Sequence, residues 1–282
     1  NLVDTTPRIE DISVDYARKL ATQYSFSQDI PINKVYNITI PGKETQIPLR
    51  VYSPANPAGP VIVYYHGGGW ILGDLNRYEN ICRGIANATG FSVVAVDYRL
   101  APEHPYPAAI TDCYDALAWV FNNQSSYGWN RDRIIVMGDS AGGTIAAVMA
   151  IKSRNESGPR ISKQVLITPA TDLTRNDRKS YRLYQEGYGL TKKLMEYFRN
   201  LYLPDKDFRS HTYVSPLLGK NFSGVAEAII VTAECDVLKD EAKAYADKLE
   251  SSGVRVEYKM YQGMIHDFVF LLPQHKATAE AL

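Results

Sequence analysis

The chain has 282 residues, of which 45% are hydrophobic and 22% are charged, and its 31 basic side chains balance 31 acidic ones. This length and composition predict one globular domain of the larger α/β kind. A formal net charge of zero gives no electrostatic reason to expect binding to nucleic acid or to an anionic membrane surface. No apolar stretch reaches the roughly 18 residues that a membrane-spanning helix needs.

The predicted elements alternate between strands and helices. Strands are expected near residues 35–40, 48–53, 61–65, 92–97, 133–138, 164–168, 228–232 and 254–261, and helices near 76–88, 108–123, 141–153 and 239–252. Such alternation builds a mostly parallel sheet with helices on both faces, and the first strand pair is expected to form an antiparallel edge.

Two segments interrupt this rhythm. Residues 1–30 contain an amphipathic pattern that predicts a helix around Asp11–Tyr24. Residues 172–220 are polar and aromatic, with a helix expected around Thr191–Leu203. Both segments lie outside the alternating core.

A glycine-rich loop follows the strand at 61–65, with the sequence His66-Gly67-Gly68-Gly69-Trp70. Loops of this HGGG type supply backbone amides that stabilise an oxyanion in lipases and esterases. A phosphate-binding loop is the rival interpretation, since Gly68 and Gly73 have the right spacing. However, Asp74 and Leu75 stand where Lys and Ser or Thr are required, so we reject it.

The segment Gly138-Asp139-Ser140-Ala141-Gly142 lies between a predicted strand and a predicted helix. Strand, G-x-S-x-G turn and helix form the nucleophile-elbow pattern, in which the serine hydroxyl is lifted into open space. The five residues alone are weak evidence, because small residues also gather at tight strand–helix contacts for steric reasons.

An acid and a histidine follow the last two predicted strands, Asp236 after 228–232 and His266 after 254–261. The carboxyl ends of parallel strands are where sites form in open α/β sheets. The order Ser140, Asp236, His266 is the order of nucleophile, acid and base in α/β-hydrolases. The interval from Ser140 to Asp236, 236 − 140 = 96 residues, is long enough to contain the 172–220 insertion.

These motifs together resemble the bacterial and archaeal hormone-sensitive-lipase-like esterases from about residue 35 to the end of the chain. The matching segments are His66–Trp70, Asp97–Pro105, Gly138–Gly143, Asp236–Glu241 and Gly263–Phe268. The family usually has proline after the acid, and Val237 stands there instead, which puts the rigidity of the acid's loop in question.

The resemblance implies an α/β-hydrolase fold in which residues 1–30 and 172–220 form a helical cap over the site. It implies that Ser140 is the nucleophile, His266 the base and Asp236 the acid that orients it. The oxyanion donors would be the backbone amides of Gly68, Gly69 and Ala141. Candidate substrate-pocket side chains, each of which competes with a purely structural role, are Trp70, Tyr188, Leu190, Leu201, Ile265 and Phe268.

Neighbouring polar residues receive structural interpretations. His66 is expected to brace the glycine loop, Asp139 to form hydrogen bonds within the elbow, and Asp97 to pair with Arg99. Asp267, next to the base, is expected to point away from it, because successive side chains alternate along an extended backbone.

The predicted function is hydrolysis of carboxylic esters through an acyl-enzyme, with no metal or organic cofactor, and the resemblance implies short- to medium-chain acyl groups. An amidase, a deacetylase or an acyltransferase on the same triad stays open, because all of them share the acyl-enzyme. A non-catalytic ligand receptor, like the plant gibberellin receptors among the family's relatives, would predict a damaged triad. Here Ser140, Asp236 and His266 are all present.

The cysteines indicate a cellular compartment, and the family resemblance indicates possible partners. Cys82, Cys113 and Cys235 are odd in number and far apart, without the spacing of a zinc site. We therefore expect no disulfide framework and a cytoplasmic location. The expected partner is a small ester, and the resemblance leaves a homodimer through an edge strand or the last helix open.

Overall fold

The computed structural model describes residues 7–23, 30–130, 132–271 and 275–281. Its eight strands form one sheet in the order β1-β2-β4-β3-β5-β6-β7-β8. They are β1 (Lys34–Pro41), β2 (Gln46–Ser53), β3 (Val61–Tyr65), β4 (Ser92–Val96), β5 (Ile134–Asp139), β6 (Ile161–Ile167), β7 (Glu227–Cys235) and β8 (Val256–Ile265). β1 pairs with β2, and β2 with β4, in antiparallel fashion, whereas all further neighbours are parallel. The antiparallel edge is therefore present as predicted.

The helices complete the alternation, and those that were predicted with bounds lie close to the predicted positions. They are α1 (Val14–Gln23), α2 (Glu79–Thr89), α3 (Ala108–Tyr127), α4 (Ala141–Asn155), α5 (Lys179–Leu183), α6 (Lys192–Tyr202), α7 (Lys239–Ser251), α8 (Phe268–Leu271) and α9 (Lys276–Ala281). Of these, α5 and α8 were not predicted. Tyr24, at the end of the first predicted helix, lies outside the described residues. No helix within the described ranges is both long and apolar enough to cross a bilayer.

The core has two layers, one on each face of the sheet. Alternate residues of β3 show the division: Val61, Val63 and Tyr65 join the cluster with α3, α4 and α7, whereas Ile62 and Tyr64 join the cluster with α2 and α8. β3, β4 and α4 are almost entirely buried, as expected for central parallel strands and for a helix enclosed by its neighbours. This burial makes the carboxyl edge of β3 and β5 a rigid base for the loops that follow them.

Candidate active site

Ser140 lies in a strained turn between β5 and α4. Its backbone has φ 52° and ψ −118°, and its N–H donates to the Ile167 carbonyl at 2.8 Å. Positive φ is uncommon for a residue with a side chain. The turn is possible only because Gly138 and Gly142 have no Cβ. A Cβ on Gly142 would lie 1.9 Å from the Tyr65 carbonyl oxygen.

We expect Gly142→Ala to lower the free energy of unfolding by about 3 kcal/mol or more, because backbone on both sides leaves no room for the methyl group. Urea unfolding followed by circular dichroism measures this. Gly84→Ala is the matched control, since its Cβ would meet only Ile30 Cδ1, at 3.9 Å. That helix substitution is expected to be neutral or to stabilise by up to about 1 kcal/mol. Equal stability of the two variants would contradict the steric argument.

The glycine loop after β3 takes up a conformation that glycine favours. Gly68 and Gly69 have φ 104° and φ 63°, and a Cβ on them would lie 2.3 Å from the Leu72 carbonyl oxygen and 2.3 Å from the Phe198 ring, respectively. Within the described residues, the backbone N–H groups of Gly68, Gly69 and Ala141 have no hydrogen-bond acceptor. These three amides are therefore free to donate to a ligand.

His66 lies beneath this loop, in the position predicted for a brace. Its Nδ1 lies 2.8 Å from the Gly67 carbonyl oxygen, and its ring stacks on Tyr98 with centroids 4.3 Å apart. Burial lowers the pKa of His66 to about 4, so the ring is neutral at physiological pH. A neutral buried imidazole can hold the loop without placing a positive charge behind it.

Asp139 connects the elbow to the glycine loop, in agreement with its predicted structural role. Its Oδ1 accepts from the Tyr64 hydroxyl at 2.5 Å and from the Gly67 N–H at 3.2 Å, and its Oδ2 accepts from the Tyr78 hydroxyl. Burial, together with the nearby charge of Asp267, raises the pKa of Asp139 to about 7. The carboxyl group ties β3 and β5 together directly under Ser140.

The predicted acid and base meet the serine at the carboxyl edge of the sheet. His266 Nε2 lies 2.9 Å from Ser140 Oγ, and His266 Nδ1 lies 2.8 Å from Asp236 Oδ2. All three residues are less than a tenth exposed. Burial lowers the pKa of His266, but the charges of Asp236 and Asp267 and the Asp236 hydrogen bond outweigh it and raise the pKa to about 9. The arrangement can take a proton from the serine and hold it.

The acid's loop is anchored even though Val237 replaces the family's usual proline. Asp236 Oδ1 accepts from the Leu238 N–H at 2.9 Å. Ser180, at the start of α5, donates from its hydroxyl to the Val237 carbonyl at 2.6 Å and from its N–H to Asp240 Oδ2 at 2.8 Å. The 172–220 insertion thus supports the loop that carries the acid.

The family model that matches this chain describes an α/β-hydrolase fold and covers residues 62–270. The chain belongs to this family. It is 40% identical over 244 residues to the carboxylic ester hydrolase LipN of Mycobacterium tuberculosis, covering 84% of this chain and 65% of that protein. It is 37% identical over 230 residues to an ethyl acetate hydrolase of Pseudomonas putida, covering 79% of this chain and 71% of that protein. An esterase of Pyrobaculum calidifontis superposes with a TM-score of 0.93 at 39% identity, over 99% of this chain and 90% of that one. The resemblance to hormone-sensitive-lipase-like esterases and the predicted fold class are confirmed.

In this α/β-hydrolase, the six predicted pocket side chains have different surroundings. Trp70 is buried and stacks on Tyr202 with centroids 4.5 Å apart, so it supports the loop from within the core. Phe268 is fully buried against Tyr261, in the cluster on the opposite face of the sheet. Its assignment to the substrate pocket is therefore wrong, because the chain turns into α8 directly after the base.

The other four predicted pocket residues lie nearer to the surface or to the base. Tyr188 is 38% exposed, and Leu190 is buried at the end of the same loop. Leu201 on α6 is half-buried. Ile265 is half-buried and directly precedes His266, and its Cδ1 lies 3.8 Å from where a Cβ on Gly189 would be. The loop before α6 thus reaches the neighbourhood of the base.

Two residues that contact the glycine loop were not predicted from the sequence. The ring of Phe198 on α6 lies against Gly69, and Arg18 on α1 donates to the carbonyls of Ile71 and Ala101, both at 2.9 Å. Arg18 also pairs with Glu103 at 2.8 Å. Both segments outside the alternating core therefore contact the loop that carries the free amides. No sequence motif marks either residue, although the helical periodicity places Phe198 on the apolar face of α6.

The predicted ion pair between Asp97 and Arg99 is wrong. Arg99 instead holds Asp112 at 2.8 Å and Glu44 at 2.9 Å, because the buried α3 carboxylate at 112 is aligned with the guanidinium fork. The Asp97 side chain has no hydrogen-bond partner among the described residues. Burial and the nearby charge of Asp74 raise the pKa of Asp97 to about 6.

The prediction that Asp267 points away from the base is also wrong. Its Oδ1 lies 3.4 Å from His266 Nε2. The side chains of His266 and Asp267 do not alternate because Asp267 has φ 55° and therefore leaves the extended conformation directly after β8. No three His, Cys, Asp or Glu side chains among the described residues are placed to hold a metal ion.

Proposed function

We propose that this protein is a serine carboxylesterase that hydrolyses short- to medium-chain acyl esters. The observation that carries the proposal is the hydrogen-bonded series from Ser140 Oγ through His266 to Asp236, with distances of 2.9 and 2.8 Å. This series lies at the carboxyl edge of the sheet. The relatives described above are named as ester hydrolases, which supports the same activity here. The ethyl acetate hydrolase among them supports a short acyl chain.

The proposed mechanism begins with attack of Ser140 Oγ on the ester carbonyl carbon while His266 Nε2 takes the hydroxyl proton. Asp236 holds the Nδ1 proton, fixes the tautomer and stabilises the imidazolium. The carbonyl oxygen becomes negative and is stabilised by the amides of Gly68, Gly69 and Ala141. These three N–H groups are available for this role because they donate to no acceptor among the described residues.

Collapse of the tetrahedral intermediate breaks the bond to the alcohol, and His266 Nε2–H donates its proton to the departing alkoxide. A water molecule then enters, loses a proton to the same nitrogen and attacks the acyl carbon. The second tetrahedral intermediate then collapses: the bond between the acyl carbon and Ser140 Oγ breaks, His266 Nε2–H returns the proton to Ser140 Oγ, and the carboxylic acid is released. No step calls for a metal or an organic cofactor.

We propose that residues 1–30 and 172–220 form a cap that excludes water and shapes the acyl pocket. The contact of α6 with the glycine loop through Phe198, and that of α1 through Arg18, support this role. Tyr188, Leu190, Leu201 and Ile265 remain the proposed pocket side chains. Residues 1–6 and 24–29 of the cap lie outside the described residues.

The proposed setting is the cytoplasm, where the free thiols of Cys82, Cys113 and Cys235 would stay reduced. Two of these thiols are buried, and burial raises the pKa of both Cys82 and Cys113, which makes them unreactive. Among the described residues, the edge strand β8 pairs with β7 alone, and it is the proposed surface for a homodimer.

Hydrolysis of p-nitrophenyl esters tests the function. We expect kcat/KM to be highest between acetate and octanoate and to fall for laurate and palmitate, because a capped pocket limits the chain length. A maximum at palmitate would indicate a lipase. Faster hydrolysis of the matching p-nitroanilides than of the esters would indicate an amidase, and no turnover of any substrate would contradict an acyl-enzyme hydrolase.

A further inference from the structure

Asp267 is a second carboxylate that faces the base. Its Oδ1 lies 3.4 Å from His266 Nε2, which is the nitrogen that exchanges the proton, whereas Asp236 contacts the opposite nitrogen. The side chain of Asp267 is 23% exposed, compared with 1% for Asp236. Asp267 is therefore on the side of the ring that faces the reacting groups.

Asp267 is held in this position with a strained backbone conformation. Three residues with side chains adopt positive φ around the base: Ser140 at 52°, Thr168 at 41° and Asp267 at 55°. Thr168 is the most unusual, because a β-branched residue avoids this region. Its hydroxyl lies 3.3 Å from Asp267 Oδ1 and donates to it. Strain of this kind persists only where the surrounding structure enforces it, and it is concentrated at functional sites.

The interaction between Asp267 and the base changes sign with the proton. In the form of the enzyme that reacts, His266 is neutral: Nδ1–H donates to Asp236 and Nε2 presents a lone pair to Ser140. The Asp267 carboxylate and that lone pair repel each other. Once Nε2 has taken the serine proton, the ring is a cation 3.4 Å from the carboxylate, and the contact becomes attractive. An interaction that is favourable only after proton transfer lowers the barrier selectively.

We propose that Asp267 is a positioning residue that stabilises the imidazolium form of His266, held in place for this purpose by Thr168. The inference rests on the proposed hydrolytic function, since it assigns Asp267 a part in the same proton transfer. Asp267 does not touch the reacting carbonyl in this account. It acts through the base alone.

The remaining charged groups around the ring act in both directions. The negative charges of Asp236 and Asp267, and that of Asp139 when it is ionised, raise the pKa of His266 against the effect of burial. Burial raises the pKa of Asp267 itself, while the positive charges of His266 and Arg77 lower it. The base is therefore expected to be protonated at neutral pH, and hydrolysis should increase with pH up to about 9, where the neutral imidazole becomes available.

The test is the pH profile of kcat/KM for Asp267→Asn, a variant that keeps the shape of the side chain, the Thr168 contact and a residue that tolerates positive φ. A nearby opposite charge typically moves a pKa by about 1 to 3. Because Asp267 is partly exposed, we expect the pKa of His266 to be lower by about 1 in Asp267→Asn. The high-pH limit of kcat/KM should fall by about 3- to 10-fold, because a weaker base takes the proton less readily. At pH 6.5 the variant should equal or exceed the unmodified enzyme, because more of its base is neutral.

The two profiles should therefore cross, which a purely structural loss would not produce. Asp247→Asn, which removes an exposed carboxylate on α7, is the control for total charge and should leave the profile unchanged. If Asp267→Asn does not fold, Asp267→Gly removes the carboxylate at a position where glycine is unstrained. It should shift the profile in the same direction.

A second measurement separates this inference from the proposed function. The pH titration of His266 is followed by NMR in the full chain labelled with ¹⁵N-histidine, its signal being the one absent from His266→Gln. A midpoint that is lower in Asp267→Asn supports the inference even if no ester is hydrolysed. An unchanged midpoint overturns it even if ester hydrolysis is fast.

Discussion

Ser140→Ala is expected to lower kcat for p-nitrophenyl butyrate by about 10⁶-fold, close to the loss seen when a triad nucleophile is removed. The alanine has no oxygen to form the acyl-enzyme, so only attack by water assisted by the free amides would remain. The hydroxyl contributes to catalysis rather than to the fold, because its one hydrogen-bond partner among the described side chains is His266. Stopped-flow and long-term assays on the purified variant measure the loss.

Two controls make this result specific. Ser251→Ala removes an exposed hydroxyl at the end of α7, which donates only to the Lys248 carbonyl, and should leave kcat unchanged. The thermal unfolding midpoint of Ser140→Ala should stay near that of the unmodified protein. If folded Ser140→Ala retained most of the activity, another nucleophile would be at work and the proposed mechanism would be wrong.

Asp236→Asn should lower kcat by about 10⁴-fold while the geometry is largely preserved. The carboxylate now accepts from His266 Nδ1 at 2.8 Å and from the Leu238 N–H at 2.9 Å. An amide group at this position can donate to Nδ1, which favours the tautomer that carries its proton on Nε2. In that tautomer Nε2 has no lone pair with which to accept the Ser140 proton.

The pH dependence of Asp236→Asn provides a second readout. Of the groups that raise the pKa of His266, Asp236 has the largest effect. Loss of its charge should therefore lower this pKa and move the rise of kcat/KM with pH to lower pH. Asp247→Asn, at an exposed i,i+4 pair with Lys243 on α7, is the matched control and should change neither kcat nor the profile. A variant that kept full activity would show that a different acid orients the base.

The fold could be predicted largely because its signals are local. A parallel sheet buried on both faces needs continuous apolar strands, and the expected strand at 61–65 coincides with β3 (Val61–Tyr65). Several boundaries differ from those predicted, among them the carboxyl ends of the last two strands. β7 continues to Cys235 and β8 to Ile265, because pairing between them extends the strands beyond their apolar centres.

The errors share a physical cause. Arg99 was assigned to Asp97 on sequence proximity, but the tertiary structure brings Asp112 and Glu44 to its guanidinium group. Asp267 was placed by strand alternation, but its positive φ redirects the side chain toward His266. Charged side chains take partners according to distance in space, and a single backbone conformation can reverse the direction of a side chain.

The sequence by itself determined the class of fold, the order of the elements and the residues proposed as nucleophile, acid and base, because these depend on hydrophobic periodicity and on short motifs read along the chain. Only the tertiary structure decided which groups meet. It turned Asp267 toward the reactive nitrogen of His266 and brought Thr168 to Asp267. It also laid Phe198 and Arg18 against the glycine loop and placed Phe268 on the opposite face of the sheet. Most of these contacts join residues far apart in sequence through packing, and the contact between the neighbours His266 and Asp267 depends on a strained backbone conformation. Neither packing nor backbone strain has a signature in the local pattern of residues.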